Sequence, residues 1–142
     1  MRKTTLVLTT VLATLTIGGG VSAQAATKVP VGMRHAWYQK LKDAKDPEFI
    51  KLTKNSIDSG SKAYHTKLKG ARLQVIKKSG GWYQIGARGI TNPTYKLKKL
   101  KIGGTKRTVL LKKYSKSSHY ASVYLKGKKT VLPLANAEYF LK

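Results

Sequence analysis

Turn signals recur about every ten residues along most of this chain, and the stretches between them are too short and too alternating for helices. Ser79-Gly80-Gly81, Gly103-Gly104 and Lys126-Gly127-Lys128 each carry glycine where a tight hairpin requires it. Between the turns, Arg72–Lys78 alternates, with Leu73 and Val75 on one face. The pattern predicts strands at Arg34–Lys40, Phe49–Thr53, Lys62–Leu68, Arg72–Lys78, Trp82–Ala87, Tyr95–Ile102, Thr108–Tyr114, Ala121–Leu125 and Thr130–Leu134. Pro133 would end the last of these, because proline cannot donate to a ladder. Ala137–Leu141 fits either a further strand or a helical turn. Gln39–Asp46 could start a helix, but Pro47 would stop it, so it reads as a loop. The expected fold is all-β: a single small antiparallel barrel of about eight strands, a meander whose closure removes exposed edges. Trp37 and Trp82 are expected to be largely buried, with Leu73, Val75, Ile85, Leu110 and Val123 inside.

The first residues have a different grammar. Met1–Lys3 is basic, Thr4–Ile17 is uncharged and mostly apolar, and Gly18–Gly20 precedes Ala23-Gln24-Ala25. This is the layout of a secretory signal peptide, and the apolar run is short for a membrane span. The expected organisation is a signal peptide at 1–25, a flexible lead-in at 26–32 and a barrel domain at 33–142. No later segment is apolar enough to span a membrane. The chain has no cysteine. An exported domain without disulfides points to a bacterium, held at the surface by non-covalent contacts or released.

Charge sets the class of partner. The whole chain holds 29 Lys+Arg against 5 Asp+Glu, a net +24, and removal of Arg2 and Lys3 with the leader leaves +22. The acids after the leader are Asp43, Asp46, Glu48, Asp58 and Glu138. Such a surplus attracts polyanions at long range and makes binding salt-sensitive. Lysine far outnumbers arginine, which favours diffuse attraction over the bidentate reading of a base, so no specific nucleic acid is expected. Lys96, Lys98, Lys99, Lys101, Lys112, Lys113, Lys126, Lys128 and Lys129 are the candidate polyanion-binding residues, concentrated in the second half. Lys40, Lys42 and Lys45 are expected to lie apart from them. The competing account is that such lysines guard strand edges against pairing. Two Trp-Tyr pairs, Trp37-Tyr38 and Trp82-Tyr83, put one ring on each face of their strands. Tyr38, Trp82 and Tyr83 form a candidate aromatic site, with Tyr95, Tyr120 and Tyr124 as further rings able to stack on sugars if exposed.

Signals for catalysis are sparse. His35, His65 and His119 are far apart in sequence, no Gly-x-Ser-x-Gly elbow occurs, and Asp43, Asp46 and Glu48 share one expected loop. The histidines show no metal-ligand spacing. The expectation is no enzyme, no metal and no cofactor.

Met33-Arg34-His35-Ala36-Trp37-Tyr38-Gln39 resembles the Arg-Gly-Thr-Trp-Tyr opening of small secreted proteins of lactobacilli, with His35 and Ala36 at the Gly and Thr positions. Ile50–Ile57 and Val109-Leu110 are similar to later segments of that family. The resemblance implies a small β-rich extracellular protein, lipocalin-like in strand count. Leu68–Ile76 followed by Ser79–Ile85 resembles the middle hairpin of bacterial SH3-type wall-binding domains, in which a glycine turn aims an aromatic pair at a wall-peptide groove. Gly86-Ala87-Arg88-Gly89 stands where that family has its next strand. The leading expectation is a secreted cationic protein that adheres to anionic wall polymers such as teichoic acids, with peptidoglycan a further candidate partner. The alternatives are a lipocalin-like carrier of an apolar ligand and a membrane-directed antimicrobial antagonist.

Overall fold

A computed structural model describes residues 28–141. The fold is all-β, a nearly closed antiparallel barrel of 9 strands. The strands are β1 (Ala36–Gln39), β2 (Glu48–Thr53), β3 (Ser56–Gly60), β4 (His65–Lys69), β5 (Leu73–Lys77), β6 (Tyr83–Ala87), β7 (Thr94–Ile102), β8 (Thr105–Lys113) and β9 (Tyr120–Lys126). A short β10 (Glu138–Phe140) follows. Apart from β4 and β5, each strand pairs with the next in an up-and-down meander, and β9 pairs back onto β1 through Leu125↔Tyr38 and Lys126↔Trp37. The ring stays open between β4 and β5, which are the two ends of the sheet. β10 adds to the first half of β9, beside Tyr120–Ser122.

Two apolar clusters result. The inner one fills the barrel with Trp37, Ile50, Leu52, Ile57, Val75, Ile85, Tyr95, Leu110 and Tyr124. Trp37 is fully buried, and its Nε1–H donates to the Met33 carbonyl at 2.9 Å, so its one polar atom is satisfied. Tyr124 is 1% exposed and donates its hydroxyl to Glu48 Oε1 at 2.9 Å. Burial, and then the Glu48 charge, hold its phenol far above the usual range. Tyr95 is raised too, chiefly by burial. Neither ring is available for stacking on a sugar.

The second cluster lies outside the barrel wall. Val109, Leu111, Val123 and Leu125 point outward from β8 and β9, and Leu132, Ala137, Tyr139 and Leu141 cover them. Val123 was expected inside, but strand alternation assigns the inside to its neighbour Tyr124. Thr130–Leu134 was expected to be a strand and is not one. Leu132 anchors the returning segment by burial and by its N–H to the Lys40 carbonyl at 2.7 Å, and Leu134–Asn136 forms a 3-10 turn. Ala137–Leu141 contributes the short strand β10.

The segment at 28–32, expected as part of a flexible lead-in, includes Val29, which is fully buried in the inner cluster. Its carbonyl accepts from Arg34 Nε at 2.8 Å. The leader at 1–25 lies outside the described residues. β3 had no counterpart in the sequence reading, because Ser, Asp and Gly are poor strand formers. Ladders to β2 and β4 on either side, with Ile57 turned inward, supply what propensity does not. Gln39–Asp46 holds no helix beyond the end of β1 and forms a loop. Among the described residues no helix is long and apolar enough to cross a membrane.

Candidate polyanion-binding grooves

The register of the β7–β8 hairpin sorts the lysines. Lys98 faces Val109 and Lys96 faces Leu111, so Lys96 and Lys98 stand on the outer face beside the second cluster. Lys113, two residues after Leu111, shares that face. Lys99 and Lys101 take the opposite parity. β6 pairs with β7 only through Thr94 and Tyr95, so beyond these the β7 edge is free and both lysines are exposed. Lys101 sits directly opposite Lys106, a like-charged cross-strand pair.

On the outer face the lysines meet aromatic rings. Lys113 Nζ lies 4.4 Å and Lys96 Nζ 5.7 Å from the centroid of the Trp82 ring, and Lys98 Nζ lies 5.6 Å from that of Tyr139. Each such contact is worth about 0.5–1 kcal/mol at an exposed site. These rings and lysines, with Lys116, line a groove of ≈ 350 Å³. A second hollow of ≈ 560 Å³ shares Trp82, Lys113 and Lys116 and adds Lys78. Every charged side chain lining either hollow is a lysine.

Trp82 is thus half-buried and outside the barrel, although it was expected in the core. Its neighbour Tyr83 packs against the inner cluster, so the pair is inverted from the expectation of an exposed Tyr83. The reason is parity: Tyr83 and Ile85 share a face, and Ile85 is inside. Gly80 and Gly81 have φ of 71° and 84°, a backbone that favours glycine, and they deliver Trp82 to the outer wall. The stem of Lys96 runs past the turn, 3.5 Å from where a Cβ on Gly81 would lie.

A larger groove of ≈ 730 Å³ lies elsewhere, on Tyr38 and Phe49. Lys128 and Lys129 line it together with Lys40 and Lys45. The separation expected between first-half and second-half lysines therefore fails at this groove, because the Leu132–Lys40 hydrogen bond draws the segment after β9 against the β1–β2 loop. Two carboxylates moderate the charge. Asp58 meets His65 Nδ1 at 2.7 Å, and Asp46 accepts the backbone N–H groups of Lys62 at 2.8 Å and Ala63 at 3.1 Å. Those two backbone hydrogen bonds hold the Asp46 carboxyl below its ordinary value.

The remaining candidates stand alone. Lys126 Nζ lies 5.8 Å from the Trp37 ring, and Lys112 Nζ 4.6 Å from Tyr114. Tyr120 is exposed and stacks with Phe140, centroids 5.3 Å apart. Sequence reasoning missed Lys116 and Tyr139, which the fold adds to the Trp82 groove. His35 packs edge-on against Trp37, and the His119 carbonyl accepts from Leu141 N–H. Among the described residues no group of three or more His, Asp or Glu is placed to hold a metal ion. Compared with protein-family models, curated proteins and solved structures, the chain matches none.

Proposed function

We propose that this protein is a secreted, cationic, surface-associated bacterial protein that binds anionic cell-wall polymers without a covalent link. The observation that carries the reading is the pair of hollows around Trp82, where all the charged side chains are lysines on a chain already strongly positive. Three of the five acids are engaged elsewhere: Glu48 by Tyr124, Asp46 by backbone amides and Asp58 by His65. Lysines whose ammonium groups lie over rings in an open groove stand ready for a polymer of fixed negative charge. A carrier of an apolar ligand would need free interior volume, and Trp37, Tyr95 and Tyr124 occupy the interior. The resemblance to small secreted proteins of lactobacilli supports the same extracellular reading.

Binding to purified teichoic acid across a salt series tests it. By analogy with single-stranded polyanions, each neutralised phosphate contributes about 0.7 to the slope of log affinity against log salt. Lys96, Lys98, Lys113 and Lys116 changed together to Gln should therefore flatten the slope by about 3. An unchanged slope would overturn the reading. Producer cells should release the protein in moderate salt, and retention in molar salt would exclude charge as the tether. Leakage of anionic vesicles at low protein concentration would favour the membrane-directed alternative.

A further inference from the structure

The ammonium groups of Lys113 and Lys96 converge on the one ring of Trp82, at 4.4 and 5.7 Å from its centroid. Two like charges held beside one ring repel each other, and an anion that draws them off would relieve that repulsion and uncover the indole. The arrangement is repeated once. Lys98 stands by Tyr139 as Lys96 stands by Trp82, and the two lysines are one strand repeat apart, ~6.8 Å. The groove thus presents two units, each an ammonium beside an aromatic ring, along one strand. The platform is also rigid. Trp82 packs against the outer apolar cluster and follows a turn whose two glycines have positive φ.

We infer that Trp82 is a stacking platform for a ring of the bound polymer, and that the ligand is an anionic glycan whose repeat carries a phosphate beside a pyranose. The inference rests on the wall-polymer reading above and adds a ring to it. The phosphate takes the ammonium groups of Lys96 and Lys113, and the sugar's C–H face replaces them over the indole. Tyr139 and Lys98 receive the next repeat. Affinity then has two parts: a lysine part that falls with salt, and a Trp82 part that does not.

Tryptophan fluorescence reads this directly. Trp37 is fully buried and the Trp82→Ala protein gives its signal alone, so the difference between the two proteins reports Trp82. The probes are a glycosylated polyol-phosphate wall polymer, the same polymer with its sugars removed, inorganic polyphosphate and oligo(dT). Every polyanion that draws the ammonium groups off should change the emission, but only the glycosylated polymer should then shield Trp82 from acrylamide. Trp82→Ala should weaken that polymer by about tenfold, the range seen when a stacking ring is removed, and leave the salt slope as it was. Trp82→Phe should restore part of the loss. In the free protein, Lys96→Gln with Lys113→Gln should raise acrylamide quenching, a readout that does not depend on the ligand or on truncating the ring. Equal effects of Trp82→Ala on the glycosylated and stripped polymers, or no effect on either, would overturn the inference and leave electrostatic binding standing. Shielding from acrylamide and a Trp82-dependent loss with oligo(dT) alone would make the ring a nucleobase and overturn the glycan assignment. No binding of any wall polymer at low salt would overturn the proposed function itself.

Discussion

The turn between β6 and β7 is stapled by one buried side chain, and its removal should be among the costliest single changes on the surface of this barrel. Asn92 is 8% exposed and makes three hydrogen bonds. Its Oδ1 accepts the Ala87 N–H at 3.0 Å, and its Nδ2 donates to the Ala87 carbonyl at 2.8 Å and the Ile90 carbonyl at 3.0 Å. At about 1 kcal/mol each, Asn92→Ala should cost about 3 kcal/mol. For a domain of this size that lowers Tm by about 12 °C. Asn92→Asp separates this account from one based on net charge. An added acid relieves self-repulsion in so basic a chain, yet a carboxylate oxygen would face two carbonyl oxygens and lose both donors. The staple predicts a loss at least as large as that of Asn92→Ala. Gly86 completes the argument: a Cβ built there would lie 2.1 Å from Asn92 Oδ1. Gly86→Ala should therefore cost about as much alone and less in the Asn92→Ala background, where the Cβ of residue 92, 2.8 Å away, still obstructs it, a coupling of about 1–2 kcal/mol. Thermal unfolding followed by circular dichroism compares the three single variants and the double variant with wild type. Wild-type stability in Asn92→Asp, or additive losses from Gly86→Ala and Asn92→Ala, would refute the reasoning.

Lys101 lies opposite Lys106 in the β7–β8 hairpin, so Lys101→Glu should stabilise the fold by about 0.5–1 kcal/mol in a urea melt at low salt, and a loss would refute the pairing. Asp46 has its carboxyl pKa lowered by the Lys62 and Ala63 amides, so its contribution is full above the ordinary value of 3.8 and is lost as pH falls through the lowered one. Hydrogen exchange of those two amides, corrected for intrinsic rate, should accelerate in that acid range and not before. Tyr95 and Tyr124 have raised phenol pKa values, so their contribution is full below the unfolded value near 10 and is lost as pH rises toward the folded ones. Absorbance titration should show them ionising only as the barrel opens, and reversible early ionisation of all 8 tyrosines would count against their burial.

The hairpins around Gly80-Gly81 and Gly103-Gly104 were legible because positive φ demands glycine, and both turns have it. The alternation of Leu73 and Val75 foretold their shared burial. Parity also held the position of Trp82: once Ile85 is inside, Tyr83 is inside and Trp82 is out. The weight of a tryptophan in a small core outweighed that signal in the sequence reading. β3 was not legible, since its Ser, Asp and Gly owe their strand to neighbours on both sides.

All-β character and the meander follow from local chemistry: turn residues and alternation act within a few positions. The division of inside from outside did not. Val109-Leu110-Leu111 and Val123-Tyr124-Leu125 are apolar at every position, so alternation alone cannot say which face is core. Only the segment returning through Leu132 to β10, which buries the outer face, decides it. The same return brings Tyr139 to Lys98 and carries Lys128 and Lys129 to Lys40 and Lys45. A groove made of residues tens of positions apart exists only after strands have paired, and pairing is a property of the whole sheet, not of any stretch of sequence.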